Sequence, residues 1–482
     1  MSRVAFSLWP VRGLFVVMAI ATLLALSTRA AGASFDEVNV SHVRGSQAEV
    51  AIAADPAQSG VLLAASNSID LQSLATLGNL MRTYASADGG ATWTVGAGPT
   101  PTPYGGKKRC NTGDPAPAID AGGRQYLAFL ASACPDLASI LGIGGEFDVA
   151  RLEVASRANA ASPWTVAQVY PVRSARFDDK PAIAVDRGPT SPHLGRVYVA
   201  WTRITPIGKS KSDRLLIVLS HSDDGGATWS RPVVVQDSAT EASAFASIAI
   251  DTSGTVFVSW TTVNRFVLVD RSTDGGDHFG NDVVVGEAAG LPVISCDHPG
   301  SFGIPAQSQR CITPTPTVLV DSPAGAPEHV YLTYSTPDAS GRAQDVVLRA
   351  YDASLAPLGP QRAVHPLDSK RDEFLPASAV DEAGRIWVCF YDTMVDPTRR
   401  TTRYSCTASV DGGQTWAVPH PVASVASNET RDVASDFQYG DYEGLAVAGG
   451  VAHPIWTDGR DLVARGEEIY TTTLTPAELQ LP

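Results

Sequence analysis

The sequence predicts an all-β chain folded as a seven-bladed β-propeller of four-stranded blades, and three observations lead to that expectation. A short apolar strand ending in Asp recurs at Asp55, Asp120, Asp186, Asp251, Asp321 and Asp381, at separations of 65, 66, 65, 70 and 60 residues. A period of this length marks a repeat architecture. Each copy is followed by a strand rich in Val and aromatic residues, such as Val197-Tyr-Val-Ala-Trp201 or Val256-Phe-Val-Ser-Trp260, with room for two more strands before the next copy. An eight-residue turn pattern also recurs, at Ser86 to Trp93, Ser222 to Trp229 and Ser409 to Trp416, and more loosely at Ser272 to Phe279. Its Asp side chain can bond nearby amides, its paired glycines accept positive φ, and its aromatic returns the chain to an apolar layer.

Taken in order, residues 1–33 read as a secretory signal. Arg3 and Arg12 precede an apolar run from Gly13 to Leu26, and Ala31-Gly32-Ala33 offers small residues for cleavage. The run is short for a membrane span, so no membrane is expected for the mature chain, which is read as one domain over 34–482. Phe35 to Val43 is an isolated strand. The repeats follow, with second strands at Val61, Gln125, Val197, Val256, Val330, Ile386 and Ala452. The seventh copy, Asp441-Tyr-Glu-Gly-Leu-Ala-Val447, lacks the terminal Asp and has only three strands, the last being Ile469 to Leu474. Pairing that strand with Phe35 to Val43 closes the ring and leaves no sheet edge between blades.

The composition, 44% hydrophobic and 18% charged, is that of an ordinary globular chain rather than a disordered one. A net charge of −14 argues against nucleic acid as a general partner. Six cysteines in an exported chain fit three disulfides, expected as Cys110 with Cys134, Cys296 with Cys311 and Cys389 with Cys406. None has Cys-x-x-Cys spacing, so no metal site is expected from them. No nucleotide-binding Gly-rich loop or other cofactor motif is present, and no organic cofactor is expected.

The Ser-x-Asp-x-Gly-x-x-Trp turns resemble the Asp-box, or BNR repeat, of sialidase-like β-propellers. That resemblance covers nearly the whole mature chain and implies the fold, with six blades as the alternative count because the family is six-bladed. It implies a secreted, monomeric glycoside hydrolase acting on sialic acid or another anionic sugar at the mouth of the central channel. The other reading is a noncatalytic propeller binding glycan or protein at the same face. The Phe/Tyr-Arg-Ile-Pro motif of the family is missing; His42-Val-Arg44-Gly45 stands in its place.

The lead-ins to the inner strands hold the candidate residues. Arg44, Arg109, Arg176, Arg310 and Arg371 stand ten or eleven residues before five of the terminal Asp residues. They are expected to grip a carboxylate, the geometry guanidinium groups suit, or else to tie their loops to neighbouring acids. Glycoside hydrolysis needs paired carboxyls or a Tyr nucleophile. Asp114 and Asp179, with Tyr442 and Glu443 in the polar-aromatic stretch Asp436 to Glu443, are the candidates, and Glu49 and Asp441 occupy similar positions.

Overall fold

A computed structural model describes residues 35–70, 79–103, 106, 108–134, 150–170, 177–205, 214–238, 240–264, 266–287, 303–322, 327–368, 370–431 and 438–481. Phe35 to Pro482 form one compact unit. The strands fall into seven four-stranded sheets, each ordered by simple up-and-down pairing. The seven-bladed count is therefore the observed one. The innermost strands are Gly45–Ala54, Arg109–Ile119, Phe177–Val185, Ser243–Ile250, Thr317–Val320, Glu373–Val380 and Gly444–Ala448.

The last blade is completed by the other end of the chain. Val38–Asn39 lies antiparallel to Glu468–Thr471, with Val38 opposite Thr471 and Asn39 opposite Tyr470. Without that strand, Glu468–Thr471 would leave its outer hydrogen-bonding edge open. Small apolar residues and large aromatics fill the spaces between blades, and Trp201, Trp260 and Trp456 are fully buried within second strands.

The periodic Asp residues hold the hairpins between first and second strands. Asp55 accepts the amide of Ala57 at 2.8 Å, Asp120 that of Gly122 at 2.8 Å, and Asp186 that of Gly188 at 2.8 Å. This is the turn chemistry that short acidic side chains favour, and it explains why the marker survives in six repeats. The eight-residue turns sit farther out, after third strands. In the second of them Ser222 Oγ donates to Asp224 at 2.8 Å and accepts the Gly226 amide at 2.9 Å. Asp224 accepts the amides of Ala227 and Thr228 at 3.0 and 2.8 Å, and Trp229 Nε1 donates to the Gly226 carbonyl at 3.2 Å. The Asp therefore bonds amides three and four residues on. Gly225 and Gly226 adopt φ of 71° and 86°, which no β-carbon tolerates well.

Ser222 is buried, so its replacement leaves the Gly226 amide without an acceptor. Ser222→Ala is expected to cost about 1–3 kcal/mol and to lower the thermal midpoint, checked by calorimetry. Two expected disulfides are present, Cys110–Cys134 and Cys389–Cys406, with Cα separations of 4.8 and 4.0 Å. Cys311 is also disulfide-bonded; its expected partner Cys296 lies outside the described residues.

Candidate functional site

Inner strands of five blades carry a bulge at the same point, where pairing skips between Ala48 and Ala51, Gly113 and Ala116, Asp179 and Ala182, Ala244 and Ser247, and Phe374 and Ala377. Within each skip one residue has a left-handed backbone: Glu49, Asp114, Lys180, Phe245 and Leu375, with φ between 48° and 60°. Positive φ in side chains of this size is uncommon and is held in place by the surrounding sheet. Pro115, Pro181 and Pro376 follow directly. A bulge leaves its extra residue unpaired, so a missing N–H is tolerated there.

Each bulge residue stands six positions before the terminal Asp of its repeat. Counting the same way gives Thr315 in blade five and, from Val447, Asp441 in blade seven. Read round the ring, blades seven, one, two and three present Asp441, Glu49, Asp114 and Lys180, and blades four, five and six present Phe245, Thr315 and Leu375. One half of the ring is charged and the other is largely apolar.

The charged half converges on Lys180. Its Nζ lies 3.1 Å from Glu49, 3.3 Å from Asp114 and 2.7 Å from Asp441. The ammonium also faces the rings of Phe245 and Tyr442, at 5.7 and 5.6 Å from their centroids. Arg310 enters from the loop before blade five. It grips Asp441 with Nε and a terminal nitrogen, both at 2.8 Å, and reaches Glu49 as well. That loop is clamped to the lead-in of blade seven, because Gln438 Oε1 accepts the amides of Gln309 and Arg310 at 3.1 and 3.0 Å. Gly440 lets the blade-seven lead-in lie against the inner strand of blade one: a β-carbon there would stand 2.8 Å from Glu49 Cγ.

Four carboxyl groups, Glu49, Asp114, Asp179 and Asp441, thus surround two cations. Charge balance in a buried site requires that protons be retained, and their distribution is uneven. Burial pushes Glu49 up to about 8 although Arg310 and Lys180 oppose it. Burial likewise raises Asp114 and Asp179, and the charge of Asp179 adds to the rise of Asp114. Asp441 stays ionised, because Lys180 and Arg310 outweigh its burial and hold its carboxyl well below the usual range. Tyr442 is raised by burial and by the field of Asp114 and Glu49, so its phenol is neutral.

The cluster closes one end of a cavity of about 270 Å³ that runs down the propeller axis between inner strands. Its walls include the apolar Ala51, Pro117, Ala182 and Ile248, and its polar lining comes from Lys180, Tyr442 and Glu443 together with Ser247, Thr315, Thr317 and Ser378. Lys180, Arg310 and Asp441 keep 12%, 21% and 17% of their side chains exposed, whereas Glu49 keeps 1% and is sealed beneath them.

Of the residues selected by sequence, Asp114, Asp179, Arg310 and Tyr442 meet here. Glu443 lines the cavity from a different hydrogen-bonding network: Tyr391 Oη is 2.6 Å from its carboxyl and the Thr457 amide donates to it at 3.1 Å. The expected ring of arginines does not form among the described residues. Arg44 is exposed in the turn before the first inner strand. Arg109 is buried at the start of its strand, where its charge acts on Glu153. Arg371 pairs with Asp368 at 3.2 Å. Arg176 lies outside the described residues. Lys180, the hub, escaped selection by residue type, although its position relative to Asp186 matched those of Glu49 and Asp114.

No family model and no curated protein matches the sequence. Among solved structures, the chain is similar to a protein of unknown function from Dyadobacter fermentans, at 16% identity and a TM-score of 0.46 over 74% of this chain and 93% of that one. It is similar to the Trypanosoma rangeli sialidase bound to the inhibitor DANA, at 13% identity and a TM-score of 0.43 over 77% of this chain, and spans 56% of that longer chain. The intramolecular trans-sialidase from Ruminococcus gnavus, in complex with oseltamivir carboxylate, is 11% identical with a TM-score of 0.45, over 90% of this chain and 95% of that one. No residue role passes to this chain at such identities.

Proposed function

We propose that the protein is a glycoside hydrolase of sialidase-like type working at the charged mouth of the central channel. The observation behind this reading is that the buried carboxyl of Asp114 and the Tyr442 ring meet at the Lys180 ammonium, with Asp179 the adjacent residue in the chain. A carboxyl raised by burial is the kind of group that glycosidic cleavage uses to protonate the leaving oxygen. In this scheme the Asp114–Asp179 pair supplies that proton. Tyr442 is the group facing the anomeric carbon and loses its phenolic proton to a carboxylate of the cluster as it attacks. Water then releases the sugar and restores the phenol. Lys180, Arg310 and Asp441 fix the frame, and Glu443, tied to Tyr391, positions the strand next to Tyr442.

A second reading, a noncatalytic propeller binding glycan, is favoured by one observation: Arg310 and Lys180 are already paired with acids, so an anionic sugar has to displace Asp441 or Glu49 to reach them. The export of the chain and the removal of residues 1–33 belong to the same proposal. Two disulfides, and no helix among the described residues long and apolar enough to cross a membrane, are compatible with it.

The test is hydrolysis of fluorogenic glycosides, with sialosides, uronides and neutral sugars included, by the wild type and by Tyr442→Phe and Asp114→Asn. Turnover by the wild type that falls by at least about a hundredfold in both variants, with unchanged circular dichroism, is the expected result. A folded wild type with no turnover, but with retention on a glycan array, establishes the binding reading instead.

A further inference from the structure

A second group of acids lies away from the channel, at the junction of blades five and six. Asp345 opens the third strand of blade five, Gln344–Asp352, and His365 follows that blade's short outer strand, Arg362–Ala363. Glu373 opens the inner strand of blade six, and Asp392 is directly opposite it at the end of the second strand. Opposed residues of an antiparallel pair point to the same face, so these two carboxyls are neighbours. Asp345, Glu373 and Asp392 are 7%, 2% and 4% exposed.

Burying carboxyl groups side by side is costly unless something positive compensates them. Among the described residues no Lys or Arg forms an ion pair with any of the three. The two nearby arginines form their ion pairs with other acids, Arg371 with Asp368 and Arg399 with Asp372, and the more distant charge of Arg371 does not outweigh the burial of Glu373 and Asp392. His365 supplies no charge: its Nε2 accepts the Val346 amide at 3.1 Å, its Nδ1 faces the Pro366 carbonyl at 3.2 Å, and burial lowers its basicity. Glu373 Oε2 is buried and has no hydrogen-bond partner. It lies 3.7 Å from His365 Nδ1, while Asp345 Oδ1 lies 3.9 Å from Nε2. Oxygens of Asp345 and Glu373 and a nitrogen of His365 all fall within 4.8 Å of one another.

We propose that the junction of blades five and six binds a calcium ion through Asp345 and Glu373, with Asp392 beside them and His365 holding the floor of the site. The donors are hard oxygens, which calcium takes at about 2.3–2.6 Å, so two oxygens on one ion stand no more than about 5 Å apart, as these do. Because His365 uses both nitrogens on backbone groups, the site lacks the free imidazole that zinc or copper prefers. The ion ties together strands of neighbouring blades, so its effect is on the stability of the ring.

The experiment is calorimetric titration of the EDTA-stripped, desalted full chain with calcium chloride, followed by thermal unfolding with and without the metal. One calcium per chain is expected, with a rise in midpoint of about 2–5 °C at saturation. Glu373→Gln and Asp345→Asn, each isosteric and neutral, are expected to fold without metal and to lose both the binding and the shift. A wild type that binds no calcium overturns the proposal. So does a Glu373→Gln chain that binds calcium as well as the wild type does, because the ion then sits elsewhere.

Discussion

Lys180→Met is expected to destabilise the propeller by about 3–5 kcal/mol at about pH 8 and by much less at about pH 5, read as thermal midpoints at the two pH values. The substitution removes the one ammonium shared by Glu49, Asp114 and Asp441 and leaves three buried carboxyls with only Arg310 to offset them. At the lower pH those carboxyls can take up protons and escape most of the penalty. An equal loss at both pH values would show that Lys180 acts through packing of its stem and not through charge. Circular dichroism separates the outcomes from simple misfolding, and the unchanged blades elsewhere in the ring provide the internal reference.

Stability measured in EDTA is expected to fall as pH rises from about 4.5 to 9. The sign follows from which state holds the proton. Glu49 and Glu373 are raised to about 8 and about 9, and Asp270, Asp345 and Asp392 to about 7, 6 and 6, chiefly by burial. In the unfolded chain these groups ionise near their ordinary values, so between the two limits the folded state binds more protons. Stabilisation from a raised carboxyl is complete below its unfolded pKa and is lost as pH climbs through its folded one. The opposite holds for Asp224, Asp274 and Asp396, lowered to about 2 by turn hydrogen bonds; their contribution disappears as pH falls below about 4. A maximum near pH 4–5 results, with a decline of several kcal/mol toward alkaline pH as an order of magnitude. Glu49→Gln should flatten the curve between about 4.5 and 8, and an unchanged slope in that variant would remove Glu49 from the account.

The blades were legible in the sequence because the signals that specify them are local. A terminal Asp bonds an amide two residues away, an eight-residue turn satisfies itself, and alternation along a strand tells which face is buried. Cys389 and Cys406 are directly opposed on neighbouring strands, and the Phe35 to Val43 strand was the one unpaired element left to close the ring. The arginines mark where such reasoning stops. Their common offset of ten or eleven residues crosses loops, and loops of similar length take unlike paths: Arg44 ends in an exposed turn, Arg109 within a strand, Arg371 on a surface aspartate. Of the four that are described, Arg310 alone reaches the Lys180 cluster, its loop held by Gln438, a residue 128 positions away.

The offset of six residues behaves differently because in five blades it starts within the inner strand, where the bulge and the register fix the position, and in the other two it starts two or three residues before that strand. Counted by position instead of by residue type, it would have found Lys180 beside Glu49, Asp114 and Asp441. Tyr442 and Glu443 show the same limit from the other side: adjacent in sequence, they enter separate networks, one with the Lys180 cluster and one with Tyr391.

By itself, then, the sequence determined a ring of seven four-stranded blades, their turns, their closure and the segments that approach the axis. The tertiary structure decided which of the approaching side chains share charge. That division has a physical cause. Strand period and turn hydrogen bonds depend on residues a few positions apart, whereas protonation at the channel mouth depends on carboxyls and cations from five different blades being buried together, where each sets the charge of the others.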